Sequence, residues 1–312
     1  MCHDFIVFFG INTSPILPQR KKLSRQGRRA RKPKRKTNNE QAASFLLSEK
    51  MLDLMMEILP SILGNRGRPS KDNRAFLVAV FHVLANGLCW RALPIEHGKW
   101  RSVYAKFNRW AKRGVWTELF EQLKQRVKGI DLEYIMVDST AVRNHKSAMG
   151  AKGRNQCIGR TAGGPTTKIH MIVDAHGNPL DFTITAGNVH DSKETRNLIQ
   201  ILEEKYLSKD SKYDVEECGQ RYFLGDKGYI SSTIERILAD KGWISLIPSR
   251  NNSKKPKLVD KHIYQERRLI ENYFERIKGA RGISTRYAKT VSMFSAFVTL
   301  ACSYSWLKLL VE

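Results

Sequence analysis

Three carboxylates stand where chemistry at phosphorus would need them. Asp138 closes the short apolar run EYIMVDST, Asp226 closes RYFLGD, and Glu271 lies in YQERRLIENYFERIK, Tyr264–Lys278. Two carboxylates a few ångströms apart repel unless a cation sits between them. Mg²⁺ takes oxygen ligands from a few carboxylates, waters and substrate phosphates, and a pair of such ions can clamp the attacking and leaving oxygens of an in-line displacement. Taken singly, each aspartate reads as an ordinary turn residue at a strand end. Their joint occurrence with Glu271 in a strongly basic chain points to metal-dependent phosphoryl transfer. The Tyr264–Lys278 stretch has no Gly or Pro, and Ile270, Tyr273, Phe274 and Ile277 make an apolar stripe at helical spacing, which predicts one continuous helix. At about 100° per residue, Tyr264, Arg267, Glu271 and Lys278 share roughly 60° of arc. Glu275 falls on the same face, so helical phase alone leaves it a rival to Glu271.

The composition narrows the partners. The chain has 312 residues and a formal net charge of +24, enough length for two domains. A positive excess of this size makes nucleic acid the expected partner and an anionic membrane surface the runner-up. No run approaches the ~18 apolar residues of a spanning helix, and FIVFFGI is apolar first and basic afterwards, the reverse of a secretory signal. The five cysteines have no zinc spacing. These features predict a cytoplasmic protein without a membrane partner.

The elements that would position the acids follow in order. Residues 1–38 include eleven Lys or Arg between Arg20 and Lys36 and no acid there, a run expected to be disordered. It reads equally as a non-specific DNA arm or as an extension without a role. Residues 39–130 are helical in pattern: FLLSEKMLDLMMEIL stopping near Pro60, a Gly- and Arg-rich turn over Gly64–Ser70, RAFLVAVFHVLAN ending at Gly87, then two more helices. Short basic helices suit a helix-turn-helix-like DNA reader, with Trp90, Trp100, Trp110 and Trp116 in the core. Residues 131–312 alternate. A strand ends at Asp138, a basic loop runs through Gly164-Pro165, a hairpin turns at His176–Pro179, and a helix begins at Asp191, whose spacing to Glu194 is that of a capping box. A strand ending at Asp226, a helix, a strand, the Tyr264–Lys278 helix and an all-round apolar helix complete the chain. Strand, strand, strand, helix, strand, helix, strand, helix is the order of a ribonuclease H-like fold. It is an α/β domain with a mixed five-stranded sheet, here preceded by a small all-α domain. In that fold the first and fourth strands are neighbours, which would set Asp138 beside Asp226.

Tyr264, two residues, Arg267, three residues, Glu271, six residues, Lys278 keeps every spacing of a signature found in bacterial insertion-sequence transposases of the DDE class, and the chain most closely resembles the IS-five family. VDST around Asp138, GGPTTKIH around Lys168, AGNVHD around Asp191, GDKGY around Asp226 and NGLCWRALP near Trp90 resemble it too, over roughly Asn65 to Leu310. Pro165 departs from the pattern, and the first forty or so residues match nothing in it. The resemblance implies a transposase that binds the terminal inverted repeats of its element, cuts a strand with water and joins the freed 3′-hydroxyl to target DNA. It selects Glu271 over Glu275. It implies that Asp138, Asp226 and Glu271 are the catalytic residues and hold two Mg²⁺ ions, for which Mn²⁺ can substitute. Tyr264, Arg267 and Lys278 would contact DNA, with Lys168 a further phosphate contact. Double-stranded DNA is the implied partner, a homodimer the implied active species, and the bacterial nucleoid the place of action.

The rival functions are a metal-dependent nuclease that cuts without joining and a domesticated DNA-binding protein that no longer transposes; three intact acids argue against the second. An RNA-binding role lacks an aromatic RNP-type strand. If the basic arm holds phosphates, deleting residues 1–38 will flatten the plot of log affinity against log salt, by about 0.9 for each phosphate the arm neutralises, and leave cleavage intact. DNA-binding titrations at several salt concentrations check this, and an unchanged slope would exclude the arm from DNA.

Overall fold

The computed structural model describes residues 45–63, 72–151, 153, 155–249, 257 and 259–312. The basic arm and the Gly64–Ser70 turn lie outside them. Among the described residues four α-helices precede the sheet: α1 (Glu49–Leu63), α2 (Asn73–Asn86), α3 (Trp100–Lys112) and α4 (Val115–Gln125). Helix α1 runs three residues past Pro60 instead of stopping there. The proline is exposed, and Ser61 Oγ donates to the Ile58 carbonyl in the same turn. Helix α2 is capped at both ends. Asp72 accepts from the Ala75 N–H, and Gly87, at φ +60°, donates to the Val83 carbonyl, the left-handed ending that glycine favours.

The sheet is built from β1 (Tyr134–Asn144), β2 (Gly159–Thr161), β3 (Gly164–Val173), β4 (Pro179–Ala186), β5 (Tyr222–Leu224), β6 (Ile244–Leu246) and β7 (Thr285–Arg286). Its central order is β4-β3-β1-β5-β6. Strands β1, β3 and β4 are antiparallel in turn, while β5 and β6 run parallel to β1. The five expected strands therefore take the ribonuclease H-like order, with the first and fourth adjacent. Two short strands are additions. The Gly- and Arg-rich connection ends in a tight hairpin, β2 to β3, where an open loop was expected. Strand β7 pairs with the far end of β1.

Helices α5 (Asp191–Leu202) and α6 (Ser232–Asp240) make the crossovers to the parallel strands. Helices α7 (Lys261–Gln265), α8 (Arg268–Lys278) and α9 (Arg281–Ser284) precede β7, and α10 (Val291–Val311) ends the chain. Against the expectation that no run approaches spanning length, α10 is long and apolar enough to cross a membrane by length and composition; its scattered serines and threonines hid this from a count of consecutive apolar residues. In this structure it packs against α1, α3, α4 and β4, with Trp306 donating from Nε1 to the Pro179 carbonyl at 2.9 Å. Helices and sheet thus share one hydrophobic core. Trp110 and Trp116 are buried in it, and Trp90 lies half-buried against Phe107 and Phe297.

A Cβ at Gly87 would meet Arg281 Cβ at 2.8 Å, so this turn is where α2 and α9 touch. Gly87→Ala should destabilise the protein by about 1–2 kcal/mol from the left-handed backbone alone, plus the clash. Urea unfolding checks it; a loss below about 0.5 kcal/mol would mean the α2 terminus relaxes freely.

Candidate active site

Asp138 lies inside β1, not at its end. The pairing of β1 with β5 stops at Met136↔Leu224, and β7 joins only at Arg143↔Thr285. Between them one side of β1 has no strand neighbour, and α8 packs on β1 there. Lys278 Nζ reaches the Ala141 carbonyl at 3.4 Å, and Arg267 Nη1 donates to Asp138 Oδ2 at 3.0 Å.

Arg267 reaches Asp138 because the helix is broken. The single helix expected over Tyr264–Lys278 is two, α7 and α8, with Glu266 and Arg267 between them. No Gly or Pro causes this. The hydrogen bonds tighten to three-residue spacing, from Glu266 N–H to Ile263, Arg267 to Tyr264, Leu269 to Glu266 and Ile270 to Arg267. Each step of such a turn advances about 120° instead of about 100°, which rotates Arg267 relative to a straight helix.

The guanidinium then bridges two acids: its second terminal nitrogen pairs with Glu271 Oε1. The i,i+4 pair would form on many helices; the contact to Asp138, 129 residues away, would not. Burial pushes the Asp138 carboxyl up to about 6, and the neighbouring Asp226 charge adds to the rise, while the Ser139 N–H and Arg267 oppose it. Asp226 sits just beyond β5, where it caps the 3₁₀ turn Lys227–Tyr229 and accepts from the Gly228 N–H at 2.8 Å. The Tyr264 ring lies against the Arg267 guanidinium at 5.9 Å. Burial lowers the Lys278 ammonium and the Asp138 charge partly restores it. Glu275 is exposed and makes no ion pair among the described residues.

A further expectation is corrected. Asp191 does not cap α5. His190 does, accepting from the Ser192 N–H through Nδ1, which frees Asp191 to turn onto the sheet. Its Oδ1 accepts from Ser139 Oγ at 2.8 Å and Lys168 Nζ at 2.9 Å. As placed, Lys168, expected as a phosphate contact, is held by that carboxylate. It also donates to the Val189 carbonyl at 2.9 Å, and its side chain is 15% exposed. Ser139, His170, Gly228 and Tyr229 were not singled out from sequence. The signal was there: Lys168 and His170 are polar residues two apart in an apolar strand, so they share a face, and the register sets His170 opposite Ser139. His170 is fully buried; its Nε2 meets Thr185 Oγ1 at 2.8 Å and its Nδ1 lies 3.6 Å from Asp191 Oδ1.

Residues 131–306 match the family model described as "Transposase DDE domain". The chain belongs to the DDE transposases. Residues 47–120 match a second model, "Putative transposase of IS4/5 family", and the first relative below, covered almost end to end, sets the chain among bacterial insertion-sequence transposases. It is 31% identical over 144 residues to the "Putative transposase for insertion sequence element IS6501" of Brucella ovis, covering 46% of this chain and 99% of that one. It is 40% identical over 89 residues to the "Uncharacterized protein y4sN" of Sinorhizobium fredii, covering 28% and 68%. Among solved structures it aligns with the piggyBac transposase synaptic complex with hairpin DNA, at TM-score 0.41, 11% identity and coverage of 86% and 74%. It also aligns with the catalytic domain of Mos1 mariner transposase, at 0.26, 9%, 64% and 90%.

A DDE transposase is an enzyme that acts on DNA and depends on divalent metal. The donors here fit such an ion: they are carboxylate oxygens, and a cationic group already lies between Asp138 and Glu271. Among the described residues no three acids, histidines or cysteines converge closely enough to hold an ion as placed, because Glu271 meets Asp138 only through Arg267.

The buried His170 gives a test of the polar layer under β1. Burial lowers its imidazole to about 4, against the opposing pull of Asp191 and Glu194. The unfolded chain, near 6.5, binds the proton more readily, so His170 stabilises the fold fully above pH 6.5 and loses that contribution as pH falls toward 4. Between pH 7 and 5 this costs about 2 kcal/mol. The carboxyls of Asp138 and Asp174, raised to about 6, shift stability the other way in both proteins, so urea unfolding at the two pH values should show wild type losing about 2 kcal/mol relative to His170→Gln between pH 7 and 5; the same pH dependence in both proteins would place the titration elsewhere.

Proposed function

We propose that Asp138, Asp226 and Glu271 are the catalytic acids of this transposase and together hold two Mg²⁺ ions, with Mn²⁺ an acceptable replacement. The observation that supports this best is the Arg267 bridge from Asp138 to Glu271, with Asp226 close enough to raise the Asp138 carboxyl. Bound there, the ions would neutralise phosphate charge and steady the attacking and leaving oxygens. For Glu271 to become a ligand, Arg267 turns away from it. DNA phosphate is the natural new partner for a guanidinium so released, and Tyr264 and Lys278 stand on the same surface to receive the backbone.

The substrate is the terminal inverted repeats of the element and then a target duplex. Water attacks first, and the freed 3′-hydroxyl second. Residues 39–130 serve as the DNA-reading helical domain, 131–312 as the catalytic domain and 1–38 as a basic arm. Cutting two ends calls for a homodimer on DNA. The enzyme works in the cytoplasm, on the nucleoid, with no membrane partner.

Glu271→Gln keeps the helix and removes the charge. With DNA carrying the element's ends and Mg²⁺, it should still bind but lose cutting and joining by more than the 10–100-fold typical of an outer-shell loss, while Glu275→Gln stays within about threefold of wild type. Loss in Glu275→Gln with Glu271→Gln intact would reverse the assignment. Product ends that are never joined to a second duplex would make the enzyme a nuclease.

A further inference from the structure

We infer that Asp191 is a positioning residue of the catalytic site: its carboxylate ties Ser139 on one side to the Gly228 turn on the other, and so fixes the spacing of Asp138 and Asp226. The inference rests on the metal-binding roles proposed above for those two aspartates.

The connections run through two residues. Ser139 faces both ways: its N–H donates to Asp138 Oδ1 at 2.8 Å, and its hydroxyl donates to Asp191 Oδ1 at 2.8 Å. On the other side the link is close packing and not a second hydrogen bond: Gly228 bonds only Asp226, and its backbone lies against Asp191. Its N–H donates to Asp226 Oδ1, and a Cβ built there would lie 2.9 Å from Asp226 Oδ1 and 3.2 Å from Asp191 Oδ2. Asp191 therefore bonds the residue that follows Asp138 and packs against the residue two beyond Asp226, with no hydrogen bond to either aspartate. Asp138 belongs to β1 and Asp226 to the turn after β5, and the two strands part at Met136↔Leu224. No ladder bond holds them at the right spacing beyond that point.

The surroundings are built to keep a charge there. Lys168 neutralises Oδ1 from β3, and the buried His170 closes the same side. Tyr229 is fully buried beside them, its hydroxyl next to Ser139 and within the field of the Asp191 and Asp138 carboxylates. Helix capping does not explain Asp191, since His190 performs it.

The test is Mn²⁺ binding by the full chain without DNA, measured by isothermal titration for wild type, Asp138→Asn, Asp191→Ala, Ser139→Ala and the Asp191→Ala/Ser139→Ala double variant. Asp138→Asn should abolish binding. Asp191→Ala and Ser139→Ala should each weaken it by about 10–100-fold, as losing an outer-shell partner does. The double variant should be no weaker than the worse single, because both act through one connection. Affinity for a duplex carrying the inverted repeat should not change. Asp191→Asn keeps the volume and the Ser139 bond and carries the test if Asp191→Ala does not fold; losing its pairing with Lys168, it should fall between wild type and Ser139→Ala. Wild-type Mn²⁺ affinity in the Asp191 variants, with none in Asp138→Asn, would overturn the inference and leave the catalytic assignment standing. Wild-type affinity in Asp138→Asn would overturn both.

Discussion

The site depends on keeping a carboxylate charged inside a sheet. Asp138 is mostly buried on an interior strand, and burial works against its ionised form, as the rise to about 6 records. What offsets this is local and specific: the Ser139 N–H on one oxygen and the Arg267 guanidinium on the other. The neighbouring elements are the means of delivering those two donors. The short β5 leaves one side of β1 uncovered, α8 occupies that side, and the break between α7 and α8 lets Arg267 reach across.

The same constraint explains the polar layer on the Asp191 side of the sheet. Ser139, Lys168 and His170 project between apolar neighbours because the strand period alternates faces, and each finds a partner within the layer. A lysine at 15% exposure is tolerated because Asp191 and the Val189 carbonyl receive it. Removing one member would leave a buried polar group without a partner, which costs more than the bond itself contributes. The acids and the core are thus connected through hydrogen bonds across β1 and β3.

Much of this was legible beforehand, for physical reasons. Strand order, the Gly87 ending of α2 and the identity of the buried C-terminal helix are properties of local pattern, and the spacing from Tyr264 to Lys278 is a helical phase. What was not legible depended on tertiary contacts. Asp191 and Glu194 have capping-box spacing, yet the adjacent His190 takes the cap and the carboxylate goes to Ser139 and Lys168. Lys168 resembles a surface cation until the β1–β3 register turns it inward. The α7–α8 break has no Gly or Pro to announce it; three-residue hydrogen bonding produces it. Strand β1 continues past Asp138 because β3 pairs with it as far as Arg143, which a reading of one run cannot foresee.

The deciding measurement is a crystal structure with Mn²⁺ and an element-end duplex, read by anomalous scattering. Metal density should lie between Asp138 and Asp226, with Glu271 turned to it and Arg267 withdrawn from Glu271 to a phosphate. Metal density away from Asp138, or Arg267 still bridging Asp138 and Glu271 in an enzyme that cleaves its DNA, would contradict the proposed site.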